Sequence, residues 1–285
     1  MPSLIDLRRR IRSVKNTQQI TKAMKMVSAA KLRRAQDRAI AARPYSAILQ
    51  QMLANVAEAA SYSDGEEHPL LAVRPENKIL LVVVTADSGL AGGFNTNIAK
   101  LAQRQADDFR GRDVAFETIG KKSRDYFRRR GYNIRAAHVD MFRALKFADA
   151  EKIADTIIDL FAKAEIDAVY LFVNEFKSVM ASRLSSMRLL PIEVPKSPNP
   201  ADYIYEQKPE ELLGSLLPRY VKLQIYRALI ESEAAYQAAR MTAMDAATKN
   251  ASDMIDRLTL YMNRVRQASI TREIIEIVSG AAALD

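Results

Sequence analysis

SLIDLRRRIRSVKNTQQITKAMKMVSAAKLRRAQDRAIAAR, residues 3–43, runs for 41 residues without a glycine or a proline. A second such stretch, residues 219–279, runs for 61. Glycine and proline are the residues that most strongly end helices, so both ends of the chain read as long continuous helices. At ~1.5 Å rise per residue the second reaches ~90 Å, well beyond the width of an ordinary domain. A helix of that length cannot be buried by its own small domain. It requires a partner helix, and other subunits, along its length.

In the first helix Leu4, Leu7, Ile11 and Val14 are spaced 3, 4 and 3 residues apart, a regular apolar seam. The seam turns polar at Asn16-Thr17-Gln18-Gln19 and is expected to resume at Ile20, Met24 and Val27, a slip that relaxes a strict heptad. Pro44 and SYSDGEEHP (residues 61–69) mark the exit, with helix resuming between Tyr45 and Ala60. The last helix starts with Pro209 in its first turn and Glu210-Glu211 beside its positive end. Pro218 is expected to kink or restart it. An alanine zone follows (Ala234, Ala235, Ala238, Ala239, Ala243, Ala246, Ala247, Ala251), whose small side chains allow close helix approach. Near the end Ile270, Ile274 and Ile277 share one face, broadened by Ile275 and Val278, and Ala281-Ala282-Ala283-Leu284 finish the chain. A helix end this apolar is inserted into something rather than left in water.

From Lys78 the rhythm changes. ILLVVV (79–84) reads as a fully buried strand, 95–109 as a helix, 114–119 as a strand, 122–130 as a helix and 133–139 as a weaker strand. A helix at 148–164, a second buried strand at 167–174 (DAVYLFVN) and an extended piece from Met187 complete the series. Strands alternating with helices give a mostly parallel sheet covered on both faces. Pro191, Pro195, Pro198 and Pro200 form a stiff linker out of that domain. Three segments result: 1–60, 75–200 and 208–285.

The chain has a net charge of +9, and residues 1–43 alone hold twelve Lys/Arg against two acids, Asp6 and Asp37. The first helix therefore carries the whole excess, and any electrostatic partner is read by it. A solvated basic face, an acidic protein partner and nucleic acid all fit that charge. In basic coiled-coil DNA binders, however, the basic region precedes a separate zipper seam, whereas here seam and charges occupy the same turns. There is no cysteine, which excludes disulfides, thiolate metal sites and a cysteine nucleophile. His68 and His138 stand 70 residues apart, too far to suggest a metal cluster. The longest apolar run, 79–84, is far too short to span a bilayer. The arginine-rich start resembles a transit peptide, but its helical pattern continues past residue 40 without a cleavage-like break. The expected compartment is cytosolic.

TADSGLAGGFN (85–95) follows a buried strand and precedes a helix, where phosphate loops sit. It lacks the Gly-Lys-Ser/Thr ending of a Walker loop, and Gly89, Gly92 and Gly93 do not fit GxGxxG. It reads as a tight strand-to-helix turn. The methionines Met24, Met26, Met241, Met244, Met254 and Met262 suit an adaptable core, or a contact that slides and repacks. Acid pairs such as Glu66-Glu67 and Asp107-Asp108 lack a nearby nucleophile or histidine and read as solvated.

Three segments together resemble one family closely: IRSVKNTQQITKAMKMVSAAKLRRAQ (11–36), TADSGLAGGFN (85–95), and AARMTAMDAATKNA (238–251) with RQASITREIIEIVSGAAAL (266–284). The family is that of the gamma subunits of rotary F-type ATP synthases. The resemblance implies an α/β fold class: a long antiparallel coiled coil of the N- and C-terminal helices plus a Rossmann-like central α/β domain. It implies a non-enzymatic central-stalk rotor that carries torque between a membrane c-ring and three alpha and three beta subunits, one copy per complex. Catalysis then belongs to the beta subunits, no cofactor is implied, and the foot contacts an epsilon subunit and the c-ring.

By the same resemblance Met24 and Lys25 face an acidic segment of a beta subunit, with Lys22, Lys31, Arg33 and Arg34 adding positive charge. Arg266 and Gln267 match a pair that bonds to a beta-subunit loop, with Thr271 one turn on, and Arg240 lies in a zone associated with coupling. Ile270, Ile274, Ile277 and Val278 match the apolar tip held in an alpha/beta sleeve. Many relatives carry cysteine where this chain has Ala91, and the regulatory cysteine insertion of chloroplast members is absent. Thiol control of this subunit is excluded, and a bacterial source is expected, peripheral to the cytoplasmic side of the inner membrane.

Overall fold

The computed structural model describes residues 3–60, 68–179, 181–194 and 206–282. In chain order the elements are α1 (Leu4–Ala60), β1 (Lys78–Val84), α2 (Phe94–Asp108), β2 (Asp113–Ile119), α3 (Lys121–Arg128), β3 (Ile134–His138), α4 (Phe147–Ala162), β4 (Ala168–Phe176), β5 (Ser182–Leu190) and α5 (Pro209–Ala282). The chain divides into two compact units, one of Met1–Ser28 with Met241–Asp285, the other Ala29–Arg240. Both long helices contribute to each unit.

In the larger unit the sheet order is β3-β2-β1-β4-β5. The pairs β3–β2, β2–β1 and β1–β4 are parallel, and β5 joins β4 antiparallel. Central β1 is buried at every position after Lys78, and its side chains alternate between the two faces. Leu80, Val82 and Val84 enter a core with Ile153, Ile157 and Phe161 of α4, Leu49, Leu53 and Val56 of α1, and Leu217, Val221 and Leu229 of α5. Ile79, Leu81 and Val83 enter the opposite core with Ile98 and Ala102 of α2 and with Phe116 and Phe127, whose rings stack at 4.1 Å. The residue 29–60 part of α1 and the residue 209–240 part of α5 thus cover one face together with α4.

Helix continuity is settled at two prolines. α1 does not end at Pro44, and α5 is not restarted at Pro218; each helix runs through its proline. An interior proline costs about 3 kcal/mol. Burial of Leu49 and Leu53 after Pro44, and of Leu217 and Val221 around Pro218, offsets it, at roughly 1.5–3 kcal/mol per side chain. Pro44 also lies on the exposed side, so the carbonyl it frees can bond to water. Of the proposed proline linker, Pro195, Pro198 and Pro200 lie outside the described residues, as do residues 61–67 and Ala283-Leu284 at the tip.

In the smaller unit the two helices run antiparallel. The Thr21 and Thr248 hydroxyls bond at 2.8 Å. Four residues further along α1, Lys25 meets Asp245, three residues back along α5. The expected slip of the α1 seam is also corrected. Ile20 and Val27 are 60% and 56% exposed, while Thr21 and Ser28 are 8% and 2% exposed. The heptad continues unbroken as 4, 7, 11, 14, 18, 21, 25, 28, with polar side chains in its inner positions. Its partner face on α5 is Met241, Met244, Thr248, Ala251, Ile255, Leu258, Met262 and Val265. Ser3 caps α1, its Oγ accepting from Ile5 N at 3.1 Å.

Leu53 of α1 is fully buried in the sheet-facing core. Leu53→Ala is therefore expected to lower unfolding free energy by about 2–5 kcal/mol, measured by urea denaturation followed by circular dichroism. A loss below about 1 kcal/mol would mean that α1 is no part of that core.

Candidate functional site

The smaller unit holds most of the residues singled out from the sequence. Met24 is half-buried beside the seam. The Lys25 ammonium lies 2.5 Å from Asp245 Oδ1, and Lys249 reaches Asp245 Oδ2 at 3.3 Å. Bonding to Lys25 first, then to Lys249, holds the Asp245 carboxyl below the usual carboxylate range. The Lys25 charge is thus engaged inside the chain, although the side chain keeps 44% exposure.

Further along α5, Arg266, Gln267 and Thr271 are exposed, and Thr271 Oγ1 donates to the Gln267 carbonyl at 2.9 Å. From Thr271 to Ser279 every residue is exposed. This includes Ile274, Ile275, Ile277 and Val278, with Ile270 exposed just before them. The cause is length. Leu4 and Ile5, at the start of α1, line a pocket with Val265 and Ala268, so the last turns of α5 continue where α1 no longer accompanies them. Four isoleucines and a valine then stand in water on one helix end, an arrangement that calls for an apolar partner.

Arg240 belongs to the larger unit and is turned back onto it. Its Nη1 donates to the Tyr236 hydroxyl at 3.1 Å, and that hydroxyl is 2.5 Å from Ser88 Oγ. The Tyr236 ring packs on Phe94 at 5.5 Å and on Phe142 at 6.4 Å. Ser88 sits in TADSGLAGGFN, so this loop is a seat for a tyrosine of α5. Its other polar groups are also used internally. Asn95 Oδ1 accepts from Ala86 N at 2.9 Å, Asn95 Nδ2 donates to the Ser88 carbonyl at 3.3 Å, and Asp87 Oδ1 accepts from Lys121 N at 2.9 Å. At Gly120 (φ 97°) a Cβ would lie 2.1 Å from the Thr85 carbonyl oxygen, so only glycine lets the two strand ends meet. The loop is a packed strand-to-helix turn.

Two groups in the helix pairing escaped sequence reading. Asp245 is one acid in an alanine-rich zone, and its heptad position opposite Lys25 is the signal of the pair. Glu233 is buried and meets Arg38 Nη2 at 3.2 Å. Nothing in the sequence marks it as an interior carboxylate. Among the described residues, none of the groups of His, Asp and Glu could hold a metal ion, and no helix is long and apolar enough to cross a membrane.

Helices that stay paired along a continuous seam and then leave an aliphatic end bare are the geometry of a coiled-coil stalk subunit. The family model described as ATP synthase matches residues 3–284. The chain is 60% identical to the ATP synthase gamma chain of Solibacter usitatus and 51% identical to that of Pelotomaculum thermopropionicum, in both cases over 100% of each chain. Its fold is similar to a chain in the central stalk and c-ring structure of the Tetrahymena thermophila mitochondrial ATP synthase. There the TM-score is 0.63 at 25% identity, covering 80% of this chain and 99% of that one. A chain of the Euglena gracilis mitochondrial enzyme shares the fold at TM-score 0.67 and 18% identity, covering 99% of this chain and 94% of that one. The chain belongs to the ATP synthase gamma chain family, the non-catalytic central-stalk subunit of that complex.

Burial raises the Glu233 pKa above the ordinary carboxylate value, opposed by the Arg38 charge and hydrogen bond and by the more distant Lys31. The stability tied to its protonated form is complete below the unfolded carboxylate pKa and is lost as pH rises through the higher folded value. The melting temperature of the wild type should therefore fall relative to that of Glu233→Gln as pH is raised from about 4 to about 8. A constant difference across that range would show that Glu233 does not titrate in the folded chain.

Proposed function

We propose that this stalk subunit is a rotor that carries torque between a membrane c-ring and a hexamer of alpha and beta subunits. The observation that carries the reading is the bare aliphatic end of α5, residues 270–278, on a helix that is otherwise paired or packed along its length. An apolar sleeve supplied by other subunits would remove that surface from water while letting the helix turn, since aliphatic contacts are non-directional. The α/β domain, where residues 29–60 and 209–240 are built into a sheet core, is a foot suited to contacts with an epsilon subunit and the c-ring.

Beside the tip, Arg266, Gln267 and Thr271 form a polar patch suited to a directional catch on a beta-subunit loop. An arginine–carboxylate contact is short and angle-dependent, so it holds at one orientation and releases at another. Met24 and Lys25 lie on the part of α1 proposed to face an acidic beta segment. There Lys25 would divide its hydrogen bonds between Asp245 and that partner, since an ammonium carries three donors. Arg240, bonded to Tyr236, is proposed to contribute at the point where α5 leaves the sheet domain. The subunit is peripheral to the membrane, and we place it on the cytoplasmic side of a bacterial inner membrane, coupled to proton flow.

Affinity purification of the chain from its own cells tests the assignment. Alpha and beta subunits are expected to co-purify in excess over it, and their absence would reject the rotor role. Arg266→Ala and Gln267→Ala should each leave the chain folded but lower ATPase turnover of the assembled complex by about tenfold, as loss of a charge-assisted hydrogen bond of ~1.5 kcal/mol implies. Unchanged turnover in both variants would rule out the catch.

A further inference from the structure

Helix α3 buries Ser123 and Phe127, half-buries Arg124, Asp125 and Tyr126, and leaves Lys121, Lys122 and Arg128 exposed. Between residues 121 and 130 there are six lysines and arginines and a single acid, Asp125. That acid is already engaged. Arg124 holds it through Nε at 3.1 Å and Nη2 at 2.9 Å, and this bonding keeps the Asp125 carboxyl below its usual range. Lys121, Lys122, Arg128 and Arg129 make no ion pair among the described residues. Like charges on neighbouring helical turns repel by a few tenths of a kcal/mol per pair, and Asp125 is the single acid between residues 121 and 130 that offsets them.

Two of them, Lys122 and Arg129, border a defined space. A cavity of about 300 Å³ lies between α2 and α3, lined by Asn95 and Thr96 and by Lys122, Arg129 and Arg130. Asp125 and Tyr126 complete the lining, which contains no aliphatic side chain. Arg130 is held in place before any ligand arrives. Its guanidinium lies 3.6 Å over the Tyr126 ring, and its Nη1 donates to the Tyr126 carbonyl at 3.1 Å. The Tyr126 hydroxyl is in turn held by Gln103 at 2.7 Å. The Asn95 amide is committed to Ala86 and Ser88 and does not compete for the cations.

We propose that this cavity binds a phosphate-bearing anion through Lys122, Arg129 and Arg130. Guanidinium groups match phosphate oxygens in pairs, and the lysine adds a point charge. The volume sits at the lower end of the roughly 300–1,000 Å³ of small-molecule pockets, which suits a phosphate or diphosphate group better than a whole nucleotide. Free diphosphate and the headgroup of an anionic phospholipid both present that chemistry. The site is separate from the shaft surfaces and does not depend on the rotor role.

Isothermal titration of the full-length chain with inorganic pyrophosphate at low ionic strength, where screening is weak, tests it. Saturable binding is expected, weakened about tenfold or more in Lys122→Ala/Arg129→Ala and by no more than about twofold in Arg8→Ala/Arg9→Ala. The second pair removes the same charge from α1. All four side chains are exposed, so circular dichroism should be unchanged. Vesicles of phosphatidylglycerol, compared with phosphatidylcholine, form the second arm. If they bind with the same variant pattern and pyrophosphate does not, the ligand is a lipid headgroup. No saturable binding of either probe, or equal weakening in the two double variants, overturns the site.

Discussion

Two helices of 57 and 74 residues persist here because each offers the other a matching face every three or four residues. Helical propensity alone would not hold them, since most helical stability in proteins comes from packing an apolar face. In the smaller unit the seam is built from Leu, Ile, Val and Met, with a polar stretch at Gln18, Thr21, Lys25 and Ser28. An ion pair as exposed as Lys25–Asp245 adds little stability by itself. The Thr21–Thr248 and Lys25–Asp245 contacts, however, form in only one register of the two helices, and polar seam positions trade stability for register in this way. In the larger unit the same helices change role and become one layer over a sheet.

The alternation of strands with helices was legible from residue 78 onward because β1 and β4 are buried on both faces and read as continuous apolar runs. The β5 strand was seen only from Met187, since Ser182, Arg183 and Ser185 leave its first half without an apolar signal on a half-exposed edge. Pro44 and Pro218 misled for a different reason. A proline is a local signal, whereas the helix around it is kept by leucines and valines packed on a distant part of the chain. The apparent slip of the seam arose from following hydrophobic residues. Ile20 and Val27 are apolar but face outward, while the inner positions went to Thr21 and Ser28.

The aliphatic end of α5 was readable because nothing nearby in the chain could cover it, and pattern alone shows that. The Tyr236 seat was not readable. It joins residues 148 positions apart through a hydroxyl pair, and a tyrosine in an alanine-rich helix carries no mark of its partner. The same loop shows why a glycine-rich strand-to-helix turn is weak evidence of phosphate binding. Its donors and acceptors are consumed by neighbouring backbone and by α5, and the cationic cavity lies beside it on α3.

The exposed isoleucines at the end of α5 bear on how such a subunit can exist before its partners reach it. Several exposed aliphatic turns at one helix end are an aggregation liability for free copies. Synthesis in step with the surrounding chains, or a chaperone that shields that end, would keep the unassembled pool small. An aliphatic surface left uncovered makes the chain a poor solitary protein.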